Sequence, residues 1–173
     1  MSRLLGIDLG ARRIGLAVAD REGDAAWALT TLRRGRDPEA DAAAIERIVD
    51  EQDVTELVVG LPLEASGGDG PQARLTRAWA TLIGERLGLP IALRDERLTS
   101  HLAEQRLGPM KRGRSGGPPT ASQREVYRSR VDREAAAIIL QDELDARAAA
   151  DMGRPPRSHA PSDTEPTARE SHR

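Results

Sequence analysis

Three acidic residues adjoin apolar segments that are typical of strands or helices. Asp8 ends the first apolar run of the chain, and Glu96 follows a later short run. Asp132 precedes three apolar residues that share its helical face at i+3, i+4 and i+7, namely Ala135, Ala136 and Ile139. Ligand-binding side chains gather at the carboxyl ends of the strands in an open α/β sheet. We therefore expect the three carboxylates to converge there, with Asp132 at the start of the closing helix and directed toward the sheet.

Carboxylates that converge without compensation repel one another, so one must protonate or a cation must enter. Two Mg2+ or Mn2+ ions would polarise a phosphoryl oxygen, lower the pKa of an attacking water and stabilise the leaving 3′ oxygen. Such a centre needs no nucleophilic Ser, Cys or His. The chain has no Cys, and His101 is the sole His before residue 151. The acids therefore predict metal-dependent phosphodiester hydrolysis, and His101 is interpreted as an exposed helix residue.

Each acid also has a structural interpretation. Asp8 could be a turn residue, Glu96 could form an ion pair with Arg97, and Asp132 could be a first-turn acid favoured by the helix dipole. Asp95 is a different case, because strand alternation sends its side chain to the face opposite Glu96. We expect Asp95 to support the centre rather than bind its ions.

The elements that must position these acids follow from the hydropathy pattern. Three apolar runs, at residues 4–8, 14–19 and 27–32, predict three antiparallel strands. Two further runs, at 57–59 and 91–93, alternate with helical segments and predict parallel pairing. The chain is therefore predicted to be an α/β protein with an RNase H-like mixed five-stranded sheet, three strands antiparallel and then two parallel, flanked by helices.

Four helices are expected around this sheet. The first begins after Asp37, with Pro38 at its first position, and the third begins at Thr99 or Ser100. The second begins at Pro71 and ends at Gly88, with a buried stripe of Leu75, Ala78, Trp79, Leu82, Ile83 and Leu87. The closing helix is expected over residues 131–149.

Charge is unevenly distributed along the chain. Residues 20–56 hold eleven acids against five Arg, whereas residues 109–134 hold seven bases against three acids. Residues 108–123 are rich in Gly and Pro and predict a mobile basic loop. Its Lys111, Arg112 and Arg114 could follow a sugar–phosphate backbone, although a solvated loop is the equal alternative.

The remaining features limit the class of protein. The domain is expected to span residues 1–149, with a disordered Pro- and Ser-rich tail over 150–173. No apolar run could cross a membrane and the first residues lack a signal-peptide pattern, so a cytoplasmic location is expected. The sequence marks no dimer face, which favours a monomer or a weak homodimer.

Four ordered motifs of the chain resemble those of a known family. They are Gly6 to Gly10 with Arg13-Ile14-Gly15, Val59 to Pro62 with Gly70-Pro71, Asp95 to Thr99, and Asp132 before Ala135-Ala136. From Leu4 to Leu144 the chain resembles the YqgF/RuvX family, described as Holliday junction resolvases and as pre-16S ribosomal RNA nucleases. The resemblance implies that Asp8, Glu96 and Asp132 are the catalytic acids, and we expect Arg97 and Thr99 to help position substrate. Ala11 departs from the Thr or Lys common in such sequences.

The substrate stays open between two nucleic acids. The resemblance favours maturation of the 5′ end of pre-16S ribosomal RNA over resolution of four-way DNA. A resolvase should also form a two-fold dimer, and the sequence marks no dimer face. A non-catalytic RNA-binding module is a further alternative. An actin-like ATPase shares the Gly6 to Gly10 pattern but needs a second domain to enclose its nucleotide.

Overall fold

A computed structural model of the chain describes residues 2–113 and 116–153. Its centre is a five-stranded sheet with strand order β3-β2-β1-β4-β5. The first three strands pair antiparallel, and β4 and β5 run parallel to β1. Their bounds are β1 Arg3–Leu9, β2 Arg13–Asp20, β3 Ala26–Arg33, β4 Val54–Leu61 and β5 Ile91–Asp95. The predicted RNase H-like sheet is confirmed, and each strand extends beyond its predicted apolar run.

Four helices cover the two faces of this sheet. They are α1 Pro38–Gln52, α2 Pro71–Leu87, α3 Thr99–Leu107 and α4 Ala121–Met152. The predicted starts of the first three are confirmed: the Asp37 carboxylate accepts the Ala40 amide N–H, and Pro71 and Thr99 open α2 and α3. Gly88 ends α2 in the left-handed conformation, with φ of 64°. None of the helices described is long and apolar enough to cross a membrane.

Strand alternation divides the core into two layers. On one face the β1 side chains Leu5 and Ile7 pack with residues of α1 and α2, including Ile45 and Ile83. On the other face Leu4 packs with a set from α4 that comprises Ala136, Ala137, Ile139, Leu140 and Leu144. Asp8 has the parity of Leu4, so α4 covers the face on which its carboxylate lies.

The predicted stripe on α2 was partly wrong. Leu75 is 65% exposed and Ala78 is also exposed, whereas Ala73, Thr76, Ala80 and Gly84 are buried with Trp79 and Ile83. Small residues let α2 lie close to its neighbours, so the buried face is rotated away from the larger Leu75. Hydrophobicity alone does not report this preference for small side chains at a close contact.

The closing helix begins ten residues earlier than expected, at Ala121. Thr120 caps it through a capping box, in which the Thr120 hydroxyl accepts the Gln123 N–H and the Gln123 side chain accepts the Thr120 N–H. Residues 121–130 are mostly exposed, so they carry no apolar stripe that would mark them as helical. Asp132 therefore lies inside α4 rather than at its start. The predicted 108–123 loop ends at Thr120, α4 continues into the predicted tail as far as Met152, and Arg114 and residues 154–173 fall outside the described residues.

Candidate active site

Asp8 lies in the central strand at the carboxyl end of β1, between two glycines on the neighbouring strands. On one side it pairs with Gly15 of β2. On the other side, Gly60 follows Val59, which pairs with Ile7. Because Asp8 lies within β1 rather than in a turn, the structural interpretation of this residue is wrong.

Asp132 approaches Asp8 from α4. A methyl group at Gly15 would overlap the Asp132 carbonyl, so the missing side chain lets the helix backbone rest directly on β2. The Asp132 carboxylate accepts a hydrogen bond from Arg13 Nε at 2.5 Å, and Arg13 Nη1 also donates to Glu125 at 3.2 Å. Asp132 is thus oriented toward the sheet as expected, but it already has a cationic partner.

Glu96 approaches Asp8 from the opposite side. A methyl group at Gly60 would overlap the Glu96 carboxylate, which therefore occupies the space that this glycine leaves. Within the described residues Glu96 Oε2 is buried and has no hydrogen-bond partner. Arg97 pairs with Asp95 instead, so the interpretation of Glu96 as the ion-pair partner of Arg97 is wrong.

Burial and mutual repulsion disfavour the ionised forms of both central acids. Burial raises the pKa of Glu96 to about 8, and the charges of Asp8 and Asp95 add to the rise. Burial raises the pKa of Asp8 to about 6, and the charge of Asp132 contributes. The three acids therefore interact electrostatically, with Asp8 between the other two.

A divalent cation fits the chemistry of the Asp8 and Glu96 pair. Both are oxygen donors of the kind that Mg2+ and Mn2+ prefer, and Glu96 Oε2 is a buried acceptor without a donor. No group of three or more potential metal-ligating side chains is arranged around one point in residues 2–113 and 116–153. Asp132, the third predicted ligand, is paired with Arg13.

The turn between β5 and α3 holds the other predicted residues near Glu96. Asp95 accepts hydrogen bonds from the backbone N–H and Nε of Arg97, and these bonds lower the pKa of Asp95. Arg97 Nη1 also donates to the Ala65 carbonyl, which ties this turn to the loop after β4. Leu98 has a φ of 67° and is 75% exposed, while Thr99 is buried. Asp95 therefore orients Arg97, and Thr99 offers little of its side chain to a ligand.

The basic residues that were predicted for substrate binding before α4 are more exposed than the carboxylates. Lys111 and Arg112 are exposed in the irregular segment before α4. His101 is exposed on α3 and contacts Gln105 at 3.0 Å, in keeping with its interpretation as a surface residue.

Arg13 is a site residue that the sequence analysis did not single out. It begins β2 directly opposite the end of β3, and its side chain is only 15% exposed between the two acids of α4. Its place after the Gly10 turn was a usable signal, because a hairpin returns the residue after the turn to the edge where Asp8 lies. The long separation between Arg13 and Asp132 in sequence conceals their contact.

Comparison with known proteins finds relatives that are named as nucleases. A protein of Anaeromyxobacter dehalogenans named "Putative pre-16S rRNA nuclease" is 48% identical over 146 residues, covering 84% of this chain and 98% of that protein. A protein of the same name from Chloroflexus aurantiacus is 41% identical over 156 residues, covering 90% of this chain and 92% of that protein. The RuvC structure of Thermus thermophilus is 14% identical, covers 85% of this chain and 96% of that chain, and superposes with a TM-score of 0.48. The family described as "RuvX: Holliday junction resolvase" matches residues 2–146. Because this match spans most of the chain, the protein belongs to the RuvX family.

Proposed function

We propose that the chain is a metal-dependent nuclease in which Asp8, Glu96 and Asp132 form the catalytic centre. The observation that carries the proposal is the buried Glu96 Oε2 atom, which lacks a donor within the described residues and lies beside the half-buried Asp8. Such an arrangement is unfavourable for stability unless a proton or a cation neutralises it. The family and the names of the relatives support a nucleic acid as the substrate.

The chain's own residues would prepare the centre as follows. Asp8 and Glu96 would hold one or two Mg2+ or Mn2+ ions, and their protons would leave as the cation binds. When bound, the ions would polarise the phosphoryl oxygen and lower the pKa of the attacking water. Asp132 would join them when the Arg13 guanidinium turns from Asp132 to a substrate phosphate.

Basic residues around the centre would contact the sugar–phosphate backbone. Arg97 is the most ordered of them, since Asp95 and the Ala65 carbonyl hold its guanidinium in the turn that also carries Glu96. Lys111 and Arg112 would add contacts from the segment before α4, and Arg114 is proposed with them on sequence alone. Thr99 would act mainly through its position at the start of α3, because its side chain is buried.

The favoured substrate is the 5′ end of pre-16S ribosomal RNA, in agreement with the names of the curated relatives. A four-way DNA junction is the second candidate, because the family description names it. The protein would act in the cytoplasm as a monomer or a weak homodimer.

The decisive experiment compares cleavage of a labelled pre-16S RNA 5′ end and a four-way DNA junction, with Mg2+ or Mn2+, by wild type and Asp8→Asn. We expect wild type to cut one of them and Asp8→Asn to lose at least about 100-fold in rate. Circular dichroism of both proteins shows whether the fold is kept. Failure of wild type to cut either substrate with either ion would favour a non-catalytic RNA-binding module.

A further inference from the structure

A basic cavity lies next to the carboxylate centre, at the end of the β2–β3 hairpin. It has a volume of about 370 Å³ and is lined by Ala11, Arg12, Arg13, Arg33, Arg34, Gly35 and Glu125. The β2–β3 register pairs Arg13 with Arg33, which brings two arginine pairs of the sequence to one place. Four arginines line this cavity, and Asp41, Asp132 and Glu125 pair with two of them, so the cavity keeps a net positive charge.

One wall of the cavity is built by a buried acid. The Asp41 side chain is fully buried and accepts hydrogen bonds from Arg34 Nε at 2.8 Å, the Gly35 N–H at 2.7 Å and Trp79 Nε1 at 3.0 Å. Arg34 Nη1 also donates to the Gly10 carbonyl at 2.9 Å. These bonds fix the Arg34 guanidinium against the turn that follows β1, so little order has to be gained when an anion binds.

Of the other three arginines, one is held by acids and two form no ion pair within the described residues. Arg13 is held by Asp132 and Glu125 and separates the cavity from the carboxylate centre. Arg12 and Arg33 are exposed, and neither forms an ion pair with an acid within residues 2–113 or 116–153. Two unpaired guanidiniums beside an ordered one suit a phosphate group chemically, because its oxygens accept paired N–H donors.

We propose that Arg12, Arg33 and Arg34 bind a backbone phosphate of the nucleic acid strand that flanks the phosphodiester to be cut. This inference rests on the proposed function, since the strand is assigned to the adjoining centre. Arg13 contacts both the cavity and the carboxylate centre. A phosphate bound in the cavity would therefore attract the Arg13 guanidinium away from Asp132. The contact reads no base and would therefore act on any sequence.

The test measures binding without metal, in EDTA, so that it does not depend on cleavage. Anisotropy of a fluorescent RNA strand is followed over a series of salt concentrations for wild type, Arg12→Gln, Arg33→Gln and Arg21→Gln. Arg21 is the matched control, because it follows the far end of β2, about 25 Å away. It loses the same charge and is 53% exposed.

We expect Arg12→Gln and Arg33→Gln each to weaken binding by about fivefold to tenfold near 0.1 M salt and to reduce the salt slope by about one. Arg21→Gln should bind as wild type does. Single neutral methylphosphonates are then placed along the strand. At one position, distinct from the linkage that is cut, the neutral group should weaken wild type and remove the difference from the two variants.

Three results would overturn the phosphate site: affinities of both variants within twofold of wild type, an equal loss in Arg21→Gln, or no binding of RNA by wild type at low salt. The proposed function fails independently, when wild type cuts neither substrate. If wild type does not cut but the arginine variants still bind less RNA, the cavity is supported and the nuclease is not.

Discussion

Acids at the two ends of the sheet have pKa values that are shifted in opposite directions. Strand β4 and helix α4 both extend from one end of the sheet to the other, so the two ends can be compared on the same face. Near the start of β4, Glu56 accepts hydrogen bonds from both terminal nitrogens of Arg147 in α4, and these bonds lower the pKa of Glu56. Near the end of β4, Glu96 lies over Gly60 with a buried oxygen that lacks a donor within the described residues, and its pKa rises to about 8.

This difference separates an acid that stabilises the fold from the acids that we propose bind a metal ion. Glu56 is buried and Glu96 is half-buried, yet only the pKa of Glu96 is raised. Burial alone therefore does not decide the sign of the pKa shift; the presence of a guanidinium does. The fold evidently can place an arginine against a buried carboxylate, as Arg147 demonstrates. At the Asp8 end the fold keeps carboxylates whose ionised forms are unfavourable. This pattern is typical of functional sites.

The largest expected difference between the two ends is in activity. Glu96→Gln should lower the rate of nucleic acid cleavage by about 100-fold or more, because it removes a proposed metal-binding charge. Glu56→Gln should leave that rate within about twofold, because Glu56 lies at the other end of the sheet. The measurement is single-turnover cleavage of whichever substrate wild type cuts.

Stability should change in the opposite direction in the same two proteins. Glu56→Gln leaves Arg147 with a weakened partner and should lower the free energy of unfolding by about 1–2 kcal/mol. Glu96→Gln should raise it at pH 8, where it removes a buried charge. Equal destabilisation by both substitutions in urea unfolding would contradict the comparison.

The next largest effect is a pH dependence of stability. The folded-state pKa values of Asp8 and Glu96, about 6 and about 8, lie above the ordinary values of 3.8 and 4.5. Between pH 5 and 8 the folded protein therefore binds more protons than the unfolded chain, so its stability falls as the pH rises. Each titrating group contributes at most about 1.4 kcal/mol per pH unit. Urea unfolding without metal, at pH 5, 6, 7 and 8, measures this decline.

The matched control is the double variant Asp8→Asn/Glu96→Gln, in which the decline should be small. Glu56 has a lowered pKa, so the stability that it contributes is lost only below its ordinary value of 4.5, outside this window. A decline in the double variant as steep as in wild type would assign the pH dependence to other groups.

The sequence predicted the sheet better than it predicted the contacts between side chains. The number of strands and their pairing directions followed from apolar runs and from the strand–helix alternation, because these patterns report burial directly. The start of α4 was missed because residues 121–130 are mostly exposed, and only the Thr120 and Gln123 capping box marks them. Side-chain burial on α2 was misassigned because close packing there favours Ala73 and Ala80 over Leu75.

Pairings across the fold could not be predicted from local patterns. Arg13 and Asp132 lie far apart in sequence, and whether Asp132 is free or paired depends on how closely α4 rests on Gly15. The arginine cavity depends similarly on the register of β2 with β3. Composition pointed instead to the basic stretch at 109–134, because the cavity arginines are split between two sequence segments and an average over residues 20–56 hides Arg33 and Arg34 among eleven acids.

The smallest expected effect is stabilisation by the metal ion itself. Mg2+ or Mn2+ at ten times its dissociation constant should add about 1.4 kcal/mol to the stability of wild type, or about 3–6 °C in melting temperature for a domain of this size. Glu56→Gln should show the same rise, since its site lies at the other end of the sheet. Glu96→Gln should show little rise, because one of the two carboxylates that the cation would neutralise is gone. An equal rise in all three proteins, measured by differential scanning fluorimetry, would mean that the ion binds elsewhere, and the unpaired oxygen of Glu96 would then need a ligand other than a metal.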